Sequence, residues 1–195
     1  MGLFYTAPKT VIKGTTLVSV NPYEIKSGTY VVPDFITEIG PAAFERCPTL
    51  KNVIMSNNVI KIGTHAFAGC KLLKTIKLST RLEKIDNFTF CNCKELEIIE
   101  IPSSVKDIKL AAFDRCSKLN YIKLNDGLET IDTDAFSKCT KLREIIIPRT
   151  VKSIDNFAFH RCENLEKVIF KNGDTILLGK DVFSLCTKVK LILDN

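Results

Sequence analysis

The stretch Ala112-Phe113-Asp114-Arg115-Cys116-Ser117-Lys118-Leu119-Asn120-Tyr121-Ile122-Lys123-Leu124 carries two spacings in succession. Phe113, Cys116 and Leu119 recur at steps of three, as on the buried face of a short helix or of 3-10 turns. Ile122 and Leu124 then alternate with polar residues, as in a strand with one buried face. The same pattern returns 23 residues later as Ala135-Phe136, Cys139, Leu142, Ile145 and Ile147. Outward from here the columns run through the chain. Phe44, Phe67, Phe90, Phe113, Phe136 and Phe159 keep the step of 23, as do Cys47, Cys70, Cys93, Cys116, Cys139 and Cys162; Phe183 and Cys186 follow after 24. Leu50, Leu73, Leu96, Leu119, Leu142, Leu165 and Val189 form a third column, and Val53, Ile76, Ile99, Ile122, Ile145, Val168 and Ile192 a fourth. Ile39, Ile62, Ile85, Ile108, Ile131, Ile154 and Leu178 form one more.

A unit this short cannot bury its apolar face alone, but stacked copies can, and their strands then form a parallel sheet. Pro102 and Pro148 end strands; Ser103-Ser104, Asn125-Asp126-Gly127 and Asn172-Gly173 are turn residues. Asp86, Asp132 and Asp155, each directly after the isoleucine column, read as N-caps of the following turn. Together, Val105-Lys106-Asp107-Ile108, Ala112-Phe113-Asp114-Arg115-Cys116 and Leu119-Asn120-Tyr121-Ile122-Lys123-Leu124 resemble the BspA-like class of leucine-rich repeats, over roughly residues 30–195. The resemblance implies an α/β fold: a right-handed solenoid with a parallel β-sheet on its concave face and short helices or 3-10 turns on its convex face. It also implies adhesion or host-interaction roles, alongside intracellular copies.

Two regions are expected. Residues 1–29 read as an N-terminal cap, a strand or hairpin in which Leu17–Val20 pairs with Thr29–Val32. Residues 30–195 hold about seven full units behind a leading strand, because Tyr30-Val31-Val32-Pro33 aligns with Ile99-Glu100-Ile101-Pro102. The last unit departs from the pattern, with one extra residue near Lys171–Leu178 and with Val182 and Val189 in place of Ala and Leu.

Apolar residues make up 45% of the chain and charged residues 26%, which excludes a disordered or collagen-like polymer. Net charge is +6, a mild bias toward acidic partners. No apolar run is long enough for a membrane-spanning helix, and no secretory signal is visible. The cysteines read as small core-filling thiols, since stacked columns point their side chains in parallel and seven in a row cannot all pair. No cofactor or metal is expected: Cys91-Asn92-Cys93 is the one close pair, and no histidine joins it. Cys91 falls outside the column and reads as an exposed, reactive thiol. Enzymatic activity is not expected, because near-identical repeats supply no unique acid, base and nucleophile together. Unpaired thiols and the missing signal favour the cytoplasm; the resemblance offers the cell surface or secretion as the alternative.

With the core columns assigned, function falls to the remaining ones. On the concave face the reading selects Lys77, Glu100, Tyr121 and Lys123 as a mixed polar zone, and Ile146, Ile169, Leu191 and Leu193 as an apolar patch. The expected function is a non-enzymatic protein-interaction module, for ligand recognition or adhesion through the concave strand face. The alternative is a structural subunit or homo-oligomer that assembles through an open apolar C-terminal coil. A convex column of Arg46, Arg115, Lys138 and Arg161 is interrupted by Gly69, Asn92 and Leu185 and lacks aromatic platforms, so it reads as a solvated face rather than a nucleic-acid site. Membrane contact rests only on Met1-Gly2-Leu3-Phe4-Tyr5-Thr6, a loose match to a myristoylation pattern.

Overall fold

The computed structural model describes residues 9–171 and 176–194, so the myristoylation-like start lies outside the described residues. Among the described residues, eight strands line the concave face: Thr29–Val31, Asn52–Ile54, Thr75–Lys77, Ile98–Glu100, Tyr121–Lys123, Glu144–Ile147, Lys167–Lys171 and Lys190–Asp194. They are parallel and paired one repeat apart, with Val53 opposite Ile76 and Ile99 opposite Ile122. Five strands form one ladder; after an interruption between Lys123 and Glu144, three more form another. In the central strands the middle residue is buried and its neighbours face outward, as the pleat requires.

Two further parallel ladders follow the isoleucine column. The two-residue strands Glu38–Ile39 and Lys61–Ile62 belong to the first, and Lys84–Ile85, Asp107–Ile108, Thr130–Ile131, Ser153–Ile154 and Leu177–Leu178 form the second. Two residues are too few for an alternation to show, so the sequence marks the column as buried without marking it as strand.

The convex segments are stacked turns, not helices. The Cys116 N–H donates to the Phe113 carbonyl of its own coil, whereas the Phe113 N–H donates to Ala135 in the next coil. Beyond its first turn, a helix keeps successive amides inside its own coil. Here alternate amides leave for the neighbour, which places the residues two before and two after each Phe in the left-handed region: Ala111 at φ 50° and Arg115 at 61°, Asp134 at 55° and Lys138 at 60°. Among the described residues, 3-10 turns occur at Pro22–Glu24 and Lys26–Gly28, both in the N-terminal segment. Asp86, Asp132 and Asp155 therefore cap no helix. Their carbonyls accept the turn bonds from Thr89, Ala135 and Ala158.

The phenylalanines form a continuous inner spine. Phe90, Phe113 and Phe136 are fully buried, and successive rings stack with centroids 5.2 Å apart, tilted by 15° and 4°. That spacing matches the ~4.8 Å rung of a parallel ladder. Tyr30 begins the spine, edge-on to Phe44 at 5.0 Å, and Phe183 ends it.

The cysteine column does more than fill space. The Cys116 thiol donates to the Phe90 carbonyl at 3.2 Å and the Cys139 thiol to Phe113 at 3.3 Å, one coil back. Each carbonyl also accepts the cysteine N–H of its own coil, as Phe90 does from Cys93. Both of its lone pairs are then engaged, one by a weak S–H donor. Burial pushes the Cys70 thiol up to about 12 and the Cys93, Cys116 and Cys139 thiols upward too. All eight cysteines are free thiols.

Both ends depart from expectation. Thr16–Ser19 pairs antiparallel with Val11–Lys13 and parallel with Glu38–Ile39, placing Leu17 opposite Ile39. Leu17–Val20 therefore does not pair with Thr29–Val32: the two segments belong to different ladders, and Leu17 is drawn into the isoleucine column by its full burial. At the other end, Leu191 lies opposite Val168, Ile192 opposite Ile169 and Leu193 opposite Phe170. The extra residue enters before Phe183, and the last strand begins one residue sooner after Cys186. Pairing from Lys167 to Lys190 thus returns to 23.

Candidate functional site

The outward residues of the concave strands form two rows. The first residues of the strands give Thr29, Asn52, Thr75, Ile98, Tyr121, Glu144, Lys167 and Lys190. The third residues give Val31, Ile54, Lys77, Glu100, Lys123, Ile146, Ile169 and Ile192. Because the ladder is in register, residues 23 apart in sequence meet side by side. The Thr75 hydroxyl donates to Asn52 Oδ1 at 2.8 Å, and Asn52 Nδ2 donates to the Thr29 hydroxyl at 3.3 Å. Lys123 Nζ lies 2.6 Å from Glu100 Oε1, and Lys167 Nζ 3.7 Å from Glu144 Oε2. The hydrogen bond from Lys123 holds the Glu100 carboxyl below its usual range. Both pairs are exposed, so each contributes little to stability.

The structure brings most of the predicted residues together. Lys77, Glu100, Tyr121, Lys123 and Ile146 are exposed on this face, and Ile169 is half-buried beside Ile146. Leu191 and Leu193 are not part of it. They occupy core-facing columns and are exposed, at 53% and 66%, because no further described coil covers them. Ile192 takes the concave position instead. The one-residue shift that decides this arises between Cys186 and Lys190, where counting columns forward from the previous unit carries the wrong register.

A groove of about 830 Å3 runs over the first strands, lined by Ile54, Lys77, Ile98, Glu100, Thr80 and Asn125 among others. Thr80 and Asn125 come from loops after the strands and were missed, since loop residues carry no column signal. Asn125 is pinned there by its Nδ2, which donates to the Ile101 carbonyl at 2.8 Å. A smaller crevice of about 380 Å3 lies at the interrupted pairing and is lined by Tyr121, Lys123, Glu144 and Ile146.

The convex surface is less open to reaction than expected. Cys91 is half-buried, its thiol 3.9 Å from Asp114 Oδ2, and its pKa is raised by burial and by that carboxylate. A raised thiol is a poor nucleophile, which corrects the reading of Cys91 as an exposed, reactive group. Asp114 also sits 3.2 Å from Arg115 Nε and 4.0 Å from Lys138 Nζ, so the basic column is partly neutralised from within.

A curved stack of parallel strands, closed on its back by turns and filled by repeating Phe, Cys and Leu columns, defines a leucine-rich-repeat solenoid. The sequence matches the BspA type leucine rich repeat region over residues 37–166 and 108–193, with 6 copies, and the chain belongs to that family. Comparison with curated proteins finds no match. Among solved structures, the leucine rich repeat protein TpLRR of T. pallidum is 27% identical, with a TM-score of 0.82 over 90% of this chain and 82% of that one. A leucine rich cell surface protein from Faecalibacterium prausnitzii is 26% identical, with a TM-score of 0.57 over 82% of this chain; the chain spans 35% of that protein. A leucine-rich repeat protein from Bacteroides ovatus shares the fold at 22% identity, with a TM-score of 0.58 over 97% of this chain and 70% of that one. No helix among the described residues is long and apolar enough to cross a membrane.

Proposed function

We propose that this chain is a protein-recognition module whose concave strand face binds a protein partner. Lys77, Glu100, Tyr121, Lys123, Ile146 and Ile169 form the contact surface, with Ile192 in place of Leu191 and Leu193. The observation that carries this reading is the outward-facing double row, in which the aromatic Tyr121 (52% exposed) stands among aliphatic and charged neighbours. Exposed tyrosine in such a setting is a common binding anchor. Tyr121→Ala and Lys123→Glu each lower affinity for a partner isolated from the native source about tenfold or more, with circular dichroism unchanged. Unaltered affinity in both variants overturns the proposal.

The last described coil supports a second reading, assembly through that end. Leu177, Leu191 and Leu193 are exposed at 68%, 53% and 66%. In this reading Leu193→Asp abolishes association in light scattering, and Ile169→Asp weakens it while strand content stays. A wild-type chain that is monomeric at high concentration rules it out. The division into residues 1–29 as a cap and 30–195 as repeats belongs to the same proposal; it is supported by the Val11–Lys13 strand that flanks Thr16–Ser19. On location two observations pull apart. The F. prausnitzii protein is described as a cell surface protein, whereas eight free thiols suit a reducing compartment.

A further inference from the structure

The charges of the concave rows are unevenly matched. Lys123 engages Glu100 and Lys167 engages Glu144. Lys77 lies between Ile54 and Glu100 in its row, yet it has no ion-pair partner among the described residues, because Glu100 turns to Lys123 on its other side. Lys77 also lines the large groove, where Ile54 (44% exposed) and Ile98 (50%) are the exposed aliphatic side chains among threonine, serine and asparagine. A lone ammonium set among exposed aliphatic side chains favours one carboxylate with apolar flanks over a polyanion, which needs several free cations. Glu100 does not repel such a guest strongly, since Lys123 already neutralises it.

We infer that the groove binds an extended peptide segment of a partner, one whose acidic side chain pairs with Lys77 and whose apolar side chains lie on Ile54 and Ile98. The inference rests on the concave-face reading and specifies its ligand. The geometry suits an extended chain crossing the stack obliquely, from Ile54 past Lys77 to Ile98. Rungs are ~4.8 Å apart, and side chains on one face of an extended peptide recur about every 7 Å. With its acidic residue on Lys77, such a chain lays its apolar residues, two positions to either side, toward Ile54, one rung back in the same row, and toward Ile98, one rung on in the neighbouring row. The Thr29–Asn52–Thr75 ladder lies alongside, offering hydroxyl and amide groups to the peptide backbone.

The experiment is a selection of linear peptides from a random library displayed on phage, against the full chain and its Lys77→Ala and Lys77→Glu variants. The selected peptides are then synthesised and titrated. The expected result is a wild-type pool enriched in Asp or Glu flanked at two residues by Leu, Ile, Val or Phe. Its binding weakens at least tenfold in Lys77→Ala, and the pool selected by Lys77→Glu shifts to Lys or Arg. Peptides that lack the acidic residue, or that bind Lys77→Ala as well as wild type while losing affinity for Tyr121→Ala, overturn this inference and leave the concave-face reading standing. Peptides insensitive to every concave substitution, or no enrichment at all, overturn both.

Discussion

Phe113→Ala is expected to destabilise the chain by about 3–5 kcal/mol, the range for truncating a fully buried aromatic. The ring stacks between Phe90 and Phe136 at 5.2 Å on either side, so its loss removes two ring contacts and leaves a cavity in the middle of the spine. Repeat arrays are held together by nearest-neighbour interfaces. A gap at a central rung should therefore also uncouple the halves, and urea unfolding should show a shallower or two-step transition. Phe157→Ala is the control. That ring is 38% exposed on the convex side, and its removal should cost no more than about 1 kcal/mol. Equal losses in the two variants would show that the stacked spine is not what couples the coils.

The second large effect comes from a residue with no side chain. Gly127 has φ +125°, and a Cβ there would overlap the Ser103 carbonyl oxygen of the preceding coil. The obstructing atom is backbone within the stack, so it cannot swing aside. Gly127→Ala should cost about 3 kcal/mol from strain and crowding together, lowering the melting temperature by roughly 6–12 °C for a chain of this size. Gly14→Ala, at φ +58° with open space around it, should cost about 1 kcal/mol from backbone conformation alone. A Gly127→Ala variant as stable as Gly14→Ala would mean that neighbouring coils separate easily.

The repeat was legible because stacking forces each coil to place the same size of side chain at the same depth. Phe113 and Cys116 could be assigned to the core from their columns alone. On the convex side the same columns leave short helices and 3-10 turns both open, and the structure places stacked turns there. A spacing of three fits a helix and a chain of turns equally well, and only the destination of alternate amides separates them. The Phe113 N–H bonds to Ala135 in another coil, a pairing invisible along one strand of text. The cysteine column shows a similar limit: its apolar character is legible, but its thiol hydrogen bonds depend on the offset between neighbouring coils.

The candidate surface divided in the same way. Lys77, Glu100, Tyr121 and Lys123 follow from two-residue alternation within strands, and that alternation is local chemistry. Leu191 and Leu193 were misplaced because their face depends on which residue of the last strand meets Lys167, and pairing is settled across the sheet. The sequence by itself determined the length of the coil, the residues of its spine and the strands of its concave face, since these follow from periodic burial. Tertiary structure alone decided the turn geometry, the terminal register and the unpaired state of Lys77. Each of those depends on which of two available neighbours a group bonds to, and that choice is made only when the coils are stacked.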